Sequence, residues 1–374
     1  MSERSTKLGD VLNGVDPKLA RVFLPWAIRH PRYLMTFIRL IDAHKRTKCL
    51  REKAMQEGVK VPPFLILSIT SRCNLSCTGC YATAVGLACG SSGADPLDRE
   101  QWRKIISEAS ELGVFGFVIA GGETFLFPGL LELCEEFKDR FFIIVTNGTA
   151  IVEEDFRRLK RLSNVAVIVS VEGGKEVTDE RRGRGVYETA FGALERLNKS
   201  GVLTGVSATI TRLNFEHWMD EEQLDKIVDQ GVRLLVLIEY IPTSELASPE
   251  NKLMLTKEER EKFRTRILSF RATKPVYIVH SPGDEEYFGG CVSAGRGFAH
   301  VTPGGDLTPC PVSNVATHNL TTSSLREGLA SPLFEEIREK SGILENGETP
   351  CALFAHPKEV EEIAKSVGAY RTSG

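Results

Sequence analysis

From residue 64 onward the chain alternates short, β-branched apolar runs with stretches whose apolar residues recur at helical spacing. The runs are Phe64–Thr70, Val114–Ala120, Phe141–Thr146, Val165–Val171, Leu203–Thr211 and Arg233–Ile241. The spacing between them predicts helices over Arg99–Leu112, Leu130–Phe137, Glu153–Leu162, Tyr187–Asn198 and Glu221–Gln230, the first opened by a capping box, Asp98-x-x-Gln101. Strands alternating with helices imply parallel βαβ units. Six such units predict an α/β fold, an open, partial (β/α)6 TIM barrel, with its functional groups at the C-terminal ends of the strands.

The first 60 residues read as a separate helical segment. Leu19, Val22, Phe23 and Trp26 recur at helical spacing, Pro31 punctuates, and Tyr33, Leu34, Phe37, Ile38 and Ile41 form a second apolar face. Between Lys18 and Lys53 there are ten basic residues against Asp42 and Glu52, so this segment is +8 and the rest about −11 within a net charge of −3. Basic residues and aromatics on an amphipathic stretch suit an anionic membrane surface. They equally suit a helical pair that packs its aromatics on the main domain and points its charges at water, and an acidic partner remains a third option.

Pro242 to Thr256 is a polar connection, and a helix then opens under a second capping box, Thr256-x-x-Glu259. The expected organisation is therefore a helical segment over 1–60, the barrel over 61–242 and a small α+β unit over 243–374. With 42% hydrophobic and 26% charged residues the composition is that of an ordinary soluble protein. No apolar stretch approaches the roughly 18 residues that span a bilayer, and Met1-Ser2-Glu3-Arg4-Ser5 lacks the apolar core of a signal peptide. The expected location is the cytoplasm, and nothing in the charge pattern asks for nucleic acid as a partner. Nine cysteines, an odd number clustered for metal ligation, fit a reducing compartment.

The first strand runs into Ser71-Arg72-Cys73-Asn74-Leu75-Ser76-Cys77-Thr78-Gly79-Cys80-Tyr81. Three thiols spaced CxxxCxxC can ligate three irons of a four-iron cluster, which normally has four thiolates, so one iron is left open. Zinc would need a further pair of ligands, and a two-cluster ferredoxin loop a fourth nearby Cys and a Pro. The second strand ends in Gly121-Gly122-Glu123-Thr124, the third in Thr146-Asn147-Gly148, which is also a plain tight turn, and the fourth in Ser170-Val171-Glu172-Gly173. The fifth offers Thr209, Thr211 and Asn214, and the sixth Glu239 and Tyr240, either facing a substrate and moving protons or simply packing.

In this order, these motifs resemble the radical S-adenosylmethionine (SAM) enzymes. The family often has an aromatic just before its third cysteine and Pro after its GGE motif, where this chain has Gly79 and Thr124. The resemblance implies that the open iron is chelated by the amino and carboxylate groups of SAM. One electron then splits the sulfonium bond to a 5′-deoxyadenosyl radical, which abstracts a hydrogen atom from an unactivated C–H bond of the substrate. It further implies that Gly121, Gly122 and Glu123 hydrogen-bond the cofactor's amino group, with Asn147 and Thr209 as further contacts. Ser170 and Glu172, where Asp is commoner, would reach the ribose. Arg182, in competition with Arg181 and Arg184, would pair with the cofactor carboxylate through its bidentate fork.

Toward the C-terminus, Cys291, Gly305 and Cys310 resemble the opening of the SPASM and Twitch extensions that hold auxiliary clusters, with the Gly-Asp pair making a hairpin that brings the thiols together. A full SPASM extension has seven cysteines, and only Cys351 follows here, so a Twitch-like unit with a second, auxiliary four-iron cluster on Cys291, Cys310 and Cys351 is the better match. Its fourth site is either open to substrate or filled by a residue such as His300, His318 or His356. Cys49 and Cys89 lack such context, and Cys134 reads as helix core. The substrate class stays open between a lipid or isoprenoid, a ribosomal peptide and a cofactor precursor such as a tetrapyrrole or quinone, with flavodoxin or ferredoxin as the expected reductant. The alternative is a non-catalytic iron–sulfur electron carrier or redox sensor on the same fold.

Overall fold

The computed structural model describes residues 17–87, 96–242, 252–340, 342–345 and 349–372. Two helices, α1 (Pro17–Arg29) and α2 (Pro31–Gln56), precede the first strand. The barrel then runs β1 (Phe64–Thr70), α3 (Arg99–Leu112), β2 (Gly116–Gly121), α4 (Leu130–Glu136), β3 (Phe141–Thr146), α5 (Glu153–Leu159), β4 (Val165–Ser170), α6 (Lys175–Arg182), α7 (Val186–Lys199), β5 (Leu203–Ile210), α8 (Glu221–Asp229) and β6 (Leu234–Glu239). Both capping boxes form: Asp98 and Gln101 exchange bonds of 2.8 and 2.9 Å, and Thr256 and Glu259 open α9 (Lys257–Thr273) in the same way.

The six expected strands lie side by side in chain order and parallel, the arrangement of a partial TIM barrel. Three further strands widen the sheet. The run Tyr277–Ser281 forms β7 parallel to β6, and Phe298–Val301 forms β8 parallel to β1 at the other edge, followed by antiparallel β9 (Leu307–Thr308). The expected boundary after Pro242 thus separates chain segments whose strands share one sheet. The polar connection that suggested it falls in part on residues 243–251, outside the described residues.

Side chains alternate across each strand, as the pleat requires. Leu65, Leu67, Ile69, Val165, Val167 and Val169 face the helices in the main core, whereas Ala166, Ile168, Leu203 and Leu234 face the bore. Near the strands' N-terminal ends the bore is closed by Trp26, Ala27 and Tyr33 of α1 and α2. The Trp26 and Tyr33 rings meet edge to face, 4.4 Å apart.

This placement accounts for part of the N-terminal charge. Helices of βα units end beneath the sheet, where their C-terminal carbonyls gather partial negative charge. Arg32 donates to the carbonyls of Lys160, Ser200 and Gly201 just beyond α5 and α7, Arg51 to that of Gly113 just beyond α3, and Arg21 to that of Ala272 in α9. The basic segment is thus in part a cap over helix ends, a role its amphipathic pattern alone did not disclose.

Candidate active site

The cysteine loop leaves the C-terminal end of β1 and is fastened on several sides. Along one edge the Gly122 and Glu123 N–H groups donate to the carbonyls of Thr70 and Arg72, each at 2.8 Å. A Cβ on Gly122 would overlap the Arg72 carbonyl oxygen, so the approach of two chain segments requires this glycine. On a second side Asn147 donates to Asn74 Oδ1 at 3.0 Å while its own Oδ1 accepts from Thr149, whose hydroxyl in turn accepts from Asn74 at 2.8 Å. On a third the Thr78 N–H donates to the Arg181 carbonyl at 2.9 Å, and the Tyr240 ring packs over Gly79.

Two buried carboxylates organise this mouth. Glu123 is 0% exposed and accepts from the Thr146 hydroxyl at 2.6 Å and from the N–H groups of Asn147 and Phe125 at 2.8 and 3.1 Å. Burial raises its pKa and these donors oppose the rise. Glu172, also 0% exposed, accepts from Arg181, from Arg182 Nε at 2.7 Å and from the Thr209 N–H at 3.0 Å. Its own carbonyl accepts from Asn214 and Trp218. Both side chains are therefore engaged inside the protein. Arg181 and Arg182, held by one carboxylate oxygen, both bear electrostatically on Cys77.

Ser170 lies opposite Ser207 in the parallel register, with their hydroxyls 3.0 Å apart on the bore side. Thr209 lies opposite Ile238, an apolar side chain 41% exposed near the mouth. Glu239 corrects the sequence reading. Strand alternation turns it to the helix-facing side, where it pairs with His280 at 2.8 Å beneath Phe263 of α9. It cannot reach a substrate in the bore, whereas Tyr240 stands beside the cysteine loop.

Cys73, Cys77 and Cys80 are half-buried and within electrostatic reach of one another, and burial raises the thiol pKa of Cys73 and Cys77. The second group, Cys291, Cys310 and Cys351, is buried and likewise mutually coupled. The Cys310 sulfur accepts the N–H of Val312 at 3.4 Å, and the backbone N–H groups of Leu75, Ser293 and Leu353 lower the thiol pKa of Cys73, Cys291 and Cys351 against the rise from burial. Such N–H···S bonds stabilise thiolate ligands and tune iron–sulfur clusters. No group of three or more His, Cys, Asp or Glu among the described residues is set to hold a single metal ion.

Sequence reasoning missed the link between the two triplets. Tyr81 hydrogen-bonds Ser68 and lies within the field of both Cys80 and Cys310. Ser68 bonds His300 Nε2 at 2.8 Å, His300 Nδ1 bonds Thr308 at 2.7 Å, and Thr308 donates to the Cys310 carbonyl at 3.1 Å. His300 is fully buried with both ring nitrogens occupied, and burial lowers its pKa to about 3, so it is a neutral strut and not a free ligand. His318 bonds Thr317 and His356 pairs with Glu359. The available signal was Ser68 itself, a polar residue at a bore-facing position of an apolar run. Cys134 is core as expected, Cys49 is exposed, and Cys89 lies outside the described residues.

Residues 67–228 match the Radical SAM superfamily. Among curated proteins, the chain is 27% identical over 191 residues to the sporulation killing factor maturation protein SkfB of Bacillus subtilis, covering 48% of this chain and 45% of SkfB. It is 24% identical over 318 residues to the AdoMet-dependent heme synthase of Methanosarcina barkeri, covering 76% of this chain and 88% of that protein. The chain spans about half the length of the first curated relatives it matches, 45% and 47%. In fold it resembles Streptococcus suis SuiB bound to its precursor peptide SuiA, with a TM-score of 0.64 at 16% identity over 83% of this chain and 74% of SuiB.

Proposed function

We propose that the chain is a radical SAM enzyme, matching that superfamily over residues 67–228, which uses a four-iron cluster and S-adenosylmethionine and functionalises an unactivated C–H bond with the help of one auxiliary cluster. The observation that carries this reading is the pair of three-thiol groups joined through Tyr81, Ser68, His300 and Thr308 at the C-terminal mouth of the barrel. When bound, the first cluster and S-adenosylmethionine supply a 5′-deoxyadenosyl radical that takes a hydrogen atom from the substrate.

The chain's own residues hold and orient these groups. Cys73, Cys77 and Cys80 would ligate three irons of the first cluster and leave the fourth for the cofactor. Arg182, and Arg181 beside it, would receive the cofactor carboxylate, pre-oriented by Glu172 so that little rotamer entropy is lost on binding. The hydroxyls of Ser170 and Thr209 would meet the ribose side of the cofactor. Ile238 would wall the substrate, and Cys291, Cys310 and Cys351 would ligate the auxiliary cluster. Of the three substrate classes the sequence leaves open, a ribosomal peptide and a tetrapyrrole-type cofactor precursor are favoured over a lipid or isoprenoid by the maturation protein and heme synthase to which the chain is similar. A flavodoxin or ferredoxin would deliver the electron.

A variant lacking Cys291, Cys310 and Cys351 tests the division of labour. It should still cleave S-adenosylmethionine to 5′-deoxyadenosine while forming no substrate-derived product, and full product formation would remove the auxiliary cluster from the account.

Among the described residues no helix is long and apolar enough to cross a membrane. Yet Leu24, Ile28, Leu34, Met35 and Ile38 of α1 and α2 are exposed, alongside exposed Arg29, Arg39 and Lys45. We propose peripheral contact of this face with anionic lipid, since apolar insertion and basic charge act together there. Sedimentation with anionic liposomes should fall as salt rises; no binding at any salt concentration would end this proposal.

A further inference from the structure

Six residues before Cys291, at the start of a 3-10 turn spanning Glu285–Phe288, stands a carboxylate that no sequence motif singles out. Glu285 is 7% exposed. The Cys291 thiol, which donates to the Ser293 hydroxyl at 3.2 Å, and the Val292 N–H lie beside its carboxylate, whose field reaches Cys291, Cys310 and Cys351 alike. Its second oxygen, Oε2, is buried and has no hydrogen-bond partner. The acidic neighbours differ. Asp284 forms a fork with Arg271 at 2.6 and 2.7 Å, and Glu286 pairs with Arg264. The nearby Arg296 donates instead to the carbonyls of Phe288, Gly289 and Cys291.

A buried carboxylate oxygen without a donor or a cation is costly, and such groups persist where they pair with charge or coordinate a metal. Three cysteines leave one iron of a four-iron cluster without a protein ligand. We propose that Glu285 is that ligand, its carboxylate binding the fourth iron of the auxiliary cluster through Oε2. The assignment rests on the reading of Cys291, Cys310 and Cys351 as the cluster's thiolates. It closes the auxiliary site to substrate, so this cluster transfers electrons and does not bind the reactant. A hard oxygen ligand in place of a thiolate also sets the cluster's potential apart from that of an all-thiolate cluster.

The test uses the full-length chain carrying Cys73→Ala, Cys77→Ala and Cys80→Ala, so that only the auxiliary cluster is reconstituted. This background should hold about four irons per chain; if it holds none, the auxiliary-cluster reading itself fails. Within it, Glu285→Gln keeps the side chain's shape but removes the anionic ligand. Mild oxidation should then release one iron, to about three per chain, and produce the near-isotropic EPR signal of a three-iron cluster, which the background resists. Glu285→Cys should restore four irons with a shifted midpoint potential. Iron content, EPR signal and potential all unchanged in Glu285→Gln would overturn the assignment. If Glu285→Gln loses all iron, retention in Glu285→Cys supports ligation, whereas loss in both would show that the position serves folding and overturn it.

Discussion

Glu172→Gln is expected to lower stability by about 3–5 kcal/mol, the usual cost of removing one partner from a buried ionic network. The side chain is wholly buried and joins Arg181, Arg182 and the Thr209 N–H at a single point between β4, β5 and α6. Glutamine preserves the shape but leaves two guanidinium groups without their counter-charge. Because those groups also face Cys77, turnover should fall by on the order of 100-fold through misplacement of the cofactor carboxylate. Anaerobic urea unfolding and 5′-deoxyadenosine formation would check both effects. Near-native stability with native turnover would show that Glu172 does not hold the arginines in place.

The second large effect is expected at Gly122. An alanine there would drive its Cβ into the Arg72 carbonyl, main chain against main chain, with no flexible side chain to move aside. The hydrogen bonds from Gly122 and Glu123 to Thr70 and Arg72 would break. Cys73, one residue beyond Arg72, would lose its position. Gly122→Ala should therefore lose the first cluster and keep the second, with iron falling from about eight to about four per chain. Cleavage of S-adenosylmethionine should vanish with it. Unaltered iron and cleavage would mean that this edge of the loop is free to give.

What the sequence disclosed follows the strength of each physical signal. Six strands and their helices were legible because apolar periodicity persists through every unit, and the metal loop because three cysteines in eight residues have few other uses. Strand β7 was missed because Tyr277–Ser281 is short and lies beyond α9, past the expected boundary at Pro242, and only pairing with β6 reveals its place in the sheet. Glu239 was misread because the face a residue takes at a strand end depends on where the strand begins, a one-residue matter. Glu123 and Glu172 were located at the mouth, but partners that engage them, Thr146 and the Thr209 N–H, come from distant segments. Glu285 carried no motif at all. Its environment arises only when the turn after β7 folds against three cysteines distributed over 60 residues.

The most direct measurement is made on anaerobically reconstituted protein: iron and sulfide per chain, then incubation with S-adenosylmethionine and a strong reductant with detection of 5′-deoxyadenosine. The account predicts about eight irons per chain, with slow cleavage in the absence of substrate that disappears when Cys73, Cys77 and Cys80 are replaced. A cluster that reduces fully yet yields no 5′-deoxyadenosine would contradict it, and would leave the chain an electron carrier on a radical enzyme's fold.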